Sequence, residues 1–179
     1  MRQFSSRAPL RISSLANHWP FAEASALRNL LLALTFFFQA TCLAHESAIV
    51  EACTNLVHDY AYSRDHNKAN DYANVFAKNG VFLFRGQRFE GRDAIRMRML
   101  DSAGQTTRHV MSNIQVTVES PEKASIVSYV TVTIATNKEL PIKASGTTAL
   151  GEYHDLCVKT VEGWKIQKRQ FVDVFTFGD

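Results

Sequence analysis

The fold is decided by residues 60–82, which read YAYSRDHNKANDYANVFAKNGVF and contain a predicted junction between two helices. Upstream, as far as about Ser63, apolar residues recur at steps of three and four, which predicts one helix with a single apolar stripe. The members of that stripe are Ile49, Ala52, Cys53, Leu56, Val57, Tyr60 and Ala61. Residues 65–67, DHN, are typical of a helix start and predict a second helix, and Asn79-Gly80 is typical of its end.

The rest of the chain predicts one further helix and a series of strands. A short strand, 81–84, turns at Arg85-Gly86 and returns through 88–90, and a third helix runs from Gly91 to about Leu100. Four long strands rich in Val, Ile, Thr and Tyr follow at 108–119, 124–136, 142–159 and 164–177. This order predicts an α+β domain in which a strongly curved, mainly antiparallel sheet wraps around three helices.

Residues 29–44, NLLLALTFFFQATCLA, resemble a secretory signal segment. A short apolar run follows Arg28, and Cys42 and Ala44 occupy the minus-three and minus-one places of a signal-peptidase site. We therefore expect cleavage after Ala44, a secreted or periplasmic domain over 45–179, and no membrane span after cleavage. An uncleaved anchor, an organelle transit peptide and a start codon assigned too early are the alternatives.

Composition and charge limit the classes of partner. The chain is 46% hydrophobic and 21% charged, which is typical of a globular protein and excludes disorder throughout. The net charge of +3 owes much to the first 28 residues, and no basic stripe interleaved with aromatic residues predicts binding to nucleic acid. No zinc pattern is present, and we expect no cofactor. Cys53 and Cys157 remain after cleavage, either as buried free thiols or as a disulfide.

Four segments follow one another within residues 48–177. They are the stretch from Tyr60 quoted above, FEGRDAI from Phe89, TRHVMSNIQV from Thr107 and GEYHDLCVKTVEGWKIQKR from Gly151. Together, in this order, they resemble the SnoaL-like family of the nuclear transport factor 2-like superfamily. The resemblance implies a cone-shaped, cystatin-like roll with a deep apolar cavity, a small hydrophobic ligand and a homodimer. The superfamily includes dehydratases, isomerases, oxygenase small subunits and silent binding domains, so it implies no single activity.

The same resemblance implies a set of site residues. Dehydratases similar to scytalone dehydratase and bile-acid dehydratases place a tyrosine, an aspartate and a histidine in the cavity, and these positions match Tyr60, Asp65 and His109. Asn113 follows at the spacing usual for SnoaL-like sequences, and Asn113 and Tyr129 are predicted to contact the substrate. The sequence departs from the dehydratases in the strand around Tyr129, which offers no carboxylate or imidazole.

The three matched residues suit the elimination of water next to a carbonyl. Such a reaction needs a base for a carbon-bound proton, and an imidazole, whose ordinary pKa is about 6.5, fits that role in His109. Asp65 would orient the ring, and Tyr60 would polarise the carbonyl. The sequence thus predicts a cofactor-free dehydratase or isomerase acting on a small hydrophobic carbonyl compound.

A second interpretation needs no catalysis. Asp65 would cap a helix, Tyr60 would belong to the core and His109 would be a strand-end histidine with its hydrogen bonds satisfied. The chain would then be a ligand-binding or assembly module, and an oxygenase small subunit is a third hypothesis.

The last strands carry further expectations about structural roles. Asp155 and Arg169 are predicted to form a structural ion pair, and Trp164 is expected in the core. Phe171, Phe175 and Phe177 are predicted to share one face, where they line a pocket or, as we favour, belong to the core or an interface.

Overall fold

The computed structural model describes residues 21–136, 139–144, 146 and 148–176. The chain divides into two compact units, one ending at Ala40 and the other beginning at Thr41. Helix α1 covers Phe21–Asp65 and so includes the segment predicted as a signal, whose cleavage stays a prediction. Among the described residues, no helix combines the length and the apolar character that crossing a membrane requires.

The second half of α1 carries the predicted apolar stripe. Ile49, Cys53, Val57 and Tyr60 are buried in one hydrophobic core with residues of the sheet. The helix ends at Asp65, two residues later than the sequence indicates. In the turn that follows, Asn67 has a φ of 56°, a left-handed conformation that asparagine tolerates better than most residues.

The second helix is much shorter than predicted. Helix α2 covers only Ala69–Asn74, and strand β1 begins at Phe76. Phe76 pairs with Ile166 of the last strand, and both side chains are fully buried, so sheet pairing outweighs the local helix signal. The pairing register shifts between Phe76 and Val81, which makes the Asn79-Gly80 region an irregularity within a strand instead of a helix end.

Within the described ranges, six strands form one sheet, and the predicted α+β class is confirmed. After β1, Phe76–Phe84, come β2, Gln87–Glu90, and helix α3, Gly91–Leu100. The long strands are β3, Thr106–Ser120; β4, Lys123–Ala135; β5, Ala149–Thr160; and β6, Gly163–Phe175. The order across the curved, unclosed sheet is β2-β1-β6-β5-β4-β3, and only the β1–β6 pair is parallel.

The third long strand begins later than predicted. The sequence indicates a strand from residue 142, whereas β5 begins at Ala149, which pairs with Val132. The backbone N–H of Ile134 donates to the Thr148 hydroxyl at 3.1 Å. Because a side chain takes this donor, the ladder between β4 and β5 ends at Val132.

The structural roles predicted for the last strands are largely confirmed. Arg169 donates two hydrogen bonds to Asp155, at 2.8 and 2.6 Å, and both side chains are fully buried. Trp164 belongs to the core. Phe171 is buried but Phe175 is exposed, since a register shift near Leu150 separates them, and Phe177 lies outside the described residues.

Cys53 and Cys157 are free thiols that lie fully buried between α1 and the sheet. Their side chains are hydrogen-bonded to each other, and that bond together with burial raises the pKa of Cys157. The sequence left free thiols and a disulfide as alternatives, and in the structure both cysteines are free thiols.

Candidate active site

A cavity of about 790 Å³ lies between the end of α1, helix α3 and the inner face of the sheet. Aromatic and aliphatic side chains form part of its wall, and they are Phe84, Phe89, Val132, Ile134, Ala149 and Phe171. Polar and charged groups form the rest, and those nearest the predicted site are Tyr60, Arg64, Arg98, Thr107, His109 and Tyr153. The size and mixed lining suit a small organic ligand.

Asp65 and His109, predicted from separate segments, lie in direct contact. Asp65 is the last residue of α1, and its Oδ1 lies 2.6 Å from His109 Nδ1. The carboxylate also accepts hydrogen bonds from the His109 backbone N–H and the Thr107 hydroxyl, each at 2.8 Å. These bonds tie the end of the helix to the start of β3 and fix the orientation of the imidazole.

The environment of Asp65 keeps its carboxylate ionised. Burial alone would raise the pKa of this carboxyl. The hydrogen bonds from His109 and Thr107 and the charge of the imidazole outweigh burial, so the pKa of Asp65 lies below its ordinary value. An ionised Asp65 accepts a proton-bearing Nδ1, and His109 then presents an unprotonated Nε2 in its neutral form.

The second ring nitrogen of His109 is left for the cavity. The ring lines the cavity, and Nε2 forms no hydrogen bond with any described residue. The geometry therefore combines a fixed tautomer with an open acceptor nitrogen, which is what a general base requires.

Tyr60 lies next to this pair without bonding to it. Its ring meets the His109 ring edge-on, with 6.2 Å between the ring centroids. The Tyr60 hydroxyl instead joins the hydroxyls of Tyr72 and Tyr153, each at 3.3 Å. Of the three predicted residues, Tyr60 and His109 thus line one cavity, whereas Asp65 contacts His109 and does not line the cavity itself.

The hydroxyls of Tyr72, Tyr60 and Tyr153 form a hydrogen-bonded chain, and the donor of each bond can be assigned. Arg98 donates to the Tyr72 hydroxyl at 3.1 Å, and Tyr72 donates to Tyr60. One proton then bridges Tyr60 and Tyr153, which leaves one phenolic proton for an acceptor in the cavity. The chain supplies a hydrogen-bond donor close to His109.

Burial keeps these phenols protonated at neutral pH. Desolvation, followed by the neighbouring Tyr60, raises the pKa of Tyr72 and of Tyr153 well above the ordinary value. The charges of Arg98 and Arg64 oppose this rise at Tyr72, and Arg169 opposes it at Tyr153. Both hydroxyls therefore remain donors.

The buried Arg169–Asp155 pair supports the tyrosines from behind. The Arg169 guanidinium lies 4.0 Å from the ring centre of Tyr60 and 4.4 Å from that of Tyr153. Such contacts hold aromatic rings in place through cation–π attraction. Arg169 therefore positions the phenols and does not line the cavity.

Asn113 and Tyr129 lie away from the cavity, contrary to the expectation that they contact the substrate there. A β-bulge between Ser112 and Gln115 turns two successive residues outward, and Asn113 adopts a φ of 48° at that bulge. Tyr129 lies on the outer face of β4, where alternate residues point away from the core, and it is exposed. Neither residue is among those that line the cavity.

Several residues of the site were not predicted from the sequence. Tyr153 stands two positions before Asp155, so the period of a strand places both on the inner face, which was the available signal. Arg64, Arg98 and Thr107 carried no signal, because their positions depend on packing between α1, α3 and β3. Within the described part of the chain, no group of three or more His, Cys, Asp or Glu side chains is arranged to hold a metal ion.

The family model for the SnoaL-like domain matches residues 45–170. No curated protein matches the chain at a significant level. The matched range includes every residue that lines the cavity except Phe171.

Solved structures with the same fold support this match. A protein of unknown function from Mycobacterium tuberculosis is 22% identical, with a TM-score of 0.65 over 73% of this chain and 75% of that one. A candidate scytalone dehydratase from Novosphingobium aromaticivorans is 24% identical, with a TM-score of 0.64 over 74% and 88%. A nuclear transport factor 2-like protein with a cystatin-like fold, from the same organism, is 18% identical, with a TM-score of 0.61 over 74% and 88%. At these identities the likeness extends to the fold.

Proposed function

Since the chain belongs to the SnoaL-like domain family, we propose that it is a cofactor-free dehydratase or isomerase of a small hydrophobic carbonyl compound. One observation carries the proposal. His109 is held by Asp65 at 2.6 Å through Nδ1 and lines a cavity of about 790 Å³, beside a phenolic donor. A fixed base and a hydrogen-bond donor facing one ligand are the minimum for removing a proton next to a carbonyl.

For a β-hydroxy carbonyl substrate, the steps use only these side chains. Nε2 of His109 removes the proton from the carbon next to the carbonyl, and the enolate oxygen accepts the hydrogen bond from Tyr60 or Tyr153. Asp65 stabilises the imidazolium that forms. As the enolate collapses, the carbon–oxygen bond breaks and the imidazolium protonates the departing hydroxyl. The products are an unsaturated carbonyl compound and water, and His109 is neutral again.

Isomerisation uses the first step and a different second one. The same enolate forms, and the imidazolium returns the proton to another carbon instead of to a hydroxyl. The two reactions differ in the substrate and not in the roles of His109, Asp65 and the tyrosines. The presence of a leaving hydroxyl would decide between them.

The proposal is tested by turnover of aromatic β-hydroxy ketones, beginning with the adduct of benzaldehyde and acetone. Its dehydration gives benzylideneacetone, whose conjugated enone is followed by ultraviolet absorbance. We expect His109→Ala to lower kcat at least about a hundredfold, which is typical for loss of a general base. The measurement is the initial rate of enone formation.

His154→Ala is the matched control. His154 is exposed on the opposite face of β5 from the buried residues, and its ring nitrogen pairs with Glu152 at 2.7 Å. This variant should keep the wild-type rate. If His109→Ala forms the enone at the wild-type rate, His109 is not the base.

One observation favours a second candidate function, a ligand-binding or assembly module without catalysis. Ser128 faces the core from β4, and its buried hydroxyl has no hydrogen-bond partner among the described residues. Strand β4 contains no Asp, Glu or His, so it supplies no second carboxylate or imidazole near the phenols. Binding of benzylideneacetone without turnover of any hydroxy ketone in the series would favour this module.

Export and self-association are also part of the proposal. The apolar segment before Ala44 supports a signal peptide and a mature chain that begins at His45. Family resemblance supports a homodimer. N-terminal sequencing and the mass of the purified protein in solution test the two statements.

A further inference from the structure

The cavity contains a buried arginine that has no acidic partner. Arg64 is only 6% exposed and lines the cavity wall. Its Nη2 donates to the Ser102 hydroxyl at 2.9 Å, whereas its buried Nη1 has no hydrogen-bond partner among the described residues. A buried guanidinium with an unpaired N–H group is costly unless a further acceptor satisfies it.

A second arginine faces the same cavity. Arg98 donates to the Tyr72 hydroxyl, and its guanidinium lies 4.3 Å from the ring centre of Phe84 and 4.8 Å from that of Phe82. These aromatic faces stabilise the charge but do not neutralise it. The charges of Arg64 and Arg98 both oppose the rise in the pKa of Tyr72, so the two arginines lie near the same region of the cavity wall.

Carboxylates do not balance these two charges. The other arginines near the cavity or core are paired, Arg85 with Asp173, Arg88 with Glu90, and Arg169 with Asp155. None of the ion pairs among the described residues includes Arg64 or Arg98. The carboxylate of Asp65 is occupied by His109 and Thr107, and Asp101 lines the cavity without pairing with either arginine.

We propose that Arg64, assisted by Arg98, binds a carboxylate group of the substrate, which is therefore a small hydrophobic acid. This inference rests on the proposed function and names the substrate class of the same cavity. Nη1 of Arg64 offers the missing charge-assisted hydrogen bond. A carboxylate, with one negative charge, suits the small number of donors and the aromatic wall better than a phosphate, which requires several donors.

The position of Arg64 also explains how a bound substrate carboxylate would help the reaction. Arg64 directly precedes Asp65 in α1, so a substrate held by Arg64 is fixed relative to the Asp65–His109 pair. Binding energy from a group remote from the reacting carbon then orients that carbon toward Nε2.

The test is binding of cinnamate and of its neutral amide, cinnamamide, measured by isothermal titration calorimetry at neutral pH. The two ligands share size and apolar surface and differ in charge. We expect wild type to bind cinnamate at least about tenfold more tightly than cinnamamide, the effect of one hydrogen bond to a charged group. Arg64→Met should remove this preference and change cinnamamide affinity by less than about twofold. Arg64→Lys should keep part of the preference because it keeps the charge.

Arg96→Met is the matched control. Arg96 lies on α3 like Arg98 but outside the cavity lining, and it lies near Asp93 at 3.9 Å. The Arg96→Met variant loses the same net charge as Arg64→Met and should keep the preference for cinnamate. If Arg96→Met lost the preference for cinnamate as fully as Arg64→Met, the preference would come from long-range attraction by the net charge, and the proposed carboxylate site would be overturned.

The remaining outcomes are equally decisive. Equal affinities of wild type for cinnamate and cinnamamide overturn the proposal without any variant, so a misfolded Arg64→Met protein does not obscure the result. Tighter binding of cinnamyl phosphate than of cinnamate would assign the arginines to phosphate and reject a carboxylate. His109→Ala should retain the preference for cinnamate, so absence of turnover and absence of an anion site are separate results.

Discussion

Asp65 is the residue on which the geometry of the site depends most. Its carboxylate accepts three hydrogen bonds, from the His109 ring, the His109 backbone and the Thr107 hydroxyl. A backbone bond fixes the start of β3, while the ring bond fixes the imidazole. The same charge therefore supports both the fold and the proposed base.

The lowered pKa of Asp65 predicts a specific dependence of stability on pH. Because the folded pKa lies below the unfolded value of about 3.9, this carboxylate stabilises the fold fully above the unfolded pKa. The contribution is lost as pH falls from there through the folded pKa. Asp65→Asn should therefore be less stable than wild type at neutral pH, and the difference should shrink on acidification. Urea unfolding at a series of pH values measures it.

Asp59→Asn serves as the control for that experiment. Asp59 lies exposed on the same helix, six residues earlier, so its replacement removes no buried contact. This variant should lose stability in acid as wild type does. A stability difference between wild type and Asp65→Asn that stays constant down to strongly acidic pH would contradict the assigned role of the carboxylate.

At this scale, the sequence predicted the members of the site that a family motif contains. Tyr60, Asp65 and His109 were identified in this way, and the structure places Tyr60 and His109 in one cavity wall, with Asp65 bonded to His109. Arg64 was not identified, because an arginine at the end of a helix reads as a surface residue until α3 is packed over it. The alternation of inward and outward residues along β3 is interrupted at Asn113, and no local feature of the sequence predicted this bulge.

Among the elements, long periodic segments were predicted better than short ones. The stripe of α1 and the helix from Gly91 to Leu100 agree with the structure, as do the strand pairs around the turns at 121–122 and 161–162. Only residues 76–80 of β1 were assigned to a helix, because Tyr72 and Phe76 have helical spacing, whereas 81–84 were predicted as a strand. Their burial against β6 is a long-range effect that a local pattern does not contain.

Gly151 of β5 is an element-scale requirement that the sequence pattern did not indicate. A Cβ at this position would overlap the carbonyl oxygen of Val172 and would lie 2.8 Å from Cε2 of Phe171. We expect Gly151→Ala to lower the free energy of unfolding by about 1–3 kcal/mol, as overpacked cores do. Because Phe171 lines the cavity, ligand affinity should fall as well. Chemical denaturation and binding of benzylideneacetone measure the two effects.

Gly104→Ala is the matched comparison, since a Cβ there would have no neighbour within 4 Å. This variant should unfold within about 0.5 kcal/mol of wild type, as surface substitutions do. Equal behaviour of the two alanine variants would mean that β5 and β6 separate easily at Gly151.

In the whole molecule, the core and the cavity belong to the unit that begins at Thr41. The first residue of the hydrophobic core is Ile49, and the residues that line the cavity extend from Tyr60 to Phe171. The family match begins at residue 45, four residues before the core. Among the residues whose side chains the structure describes, the predicted cleavage after Ala44 therefore removes none that belongs to the core or lines the cavity.

A chain that begins at His45 should accordingly fold as well as the full-length protein. We expect its melting temperature and its affinity for benzylideneacetone to equal those of the full chain. A shorter chain that begins at Thr54 lacks Ile49 and Cys53 and should melt at a lower temperature, because truncating buried side chains costs about 1–5 kcal/mol each. A large loss of stability in the chain from His45 would contradict the proposed mature terminus.

The hydroxyl chain from Tyr72 through Tyr60 to Tyr153 also sets an isotope signature. Its single spare phenolic proton is the one that meets a ligand oxygen, and this proton exchanges with solvent when the cavity is open. In heavy water, deuterium would occupy that place, and the proton that Nε2 of His109 takes from the substrate would exchange for deuterium before the imidazolium passes it on. A substrate that is turned over there would acquire deuterium at carbon only by isomerisation, whereas elimination would release it with the water, so a mass spectrum of the product separates the two reactions.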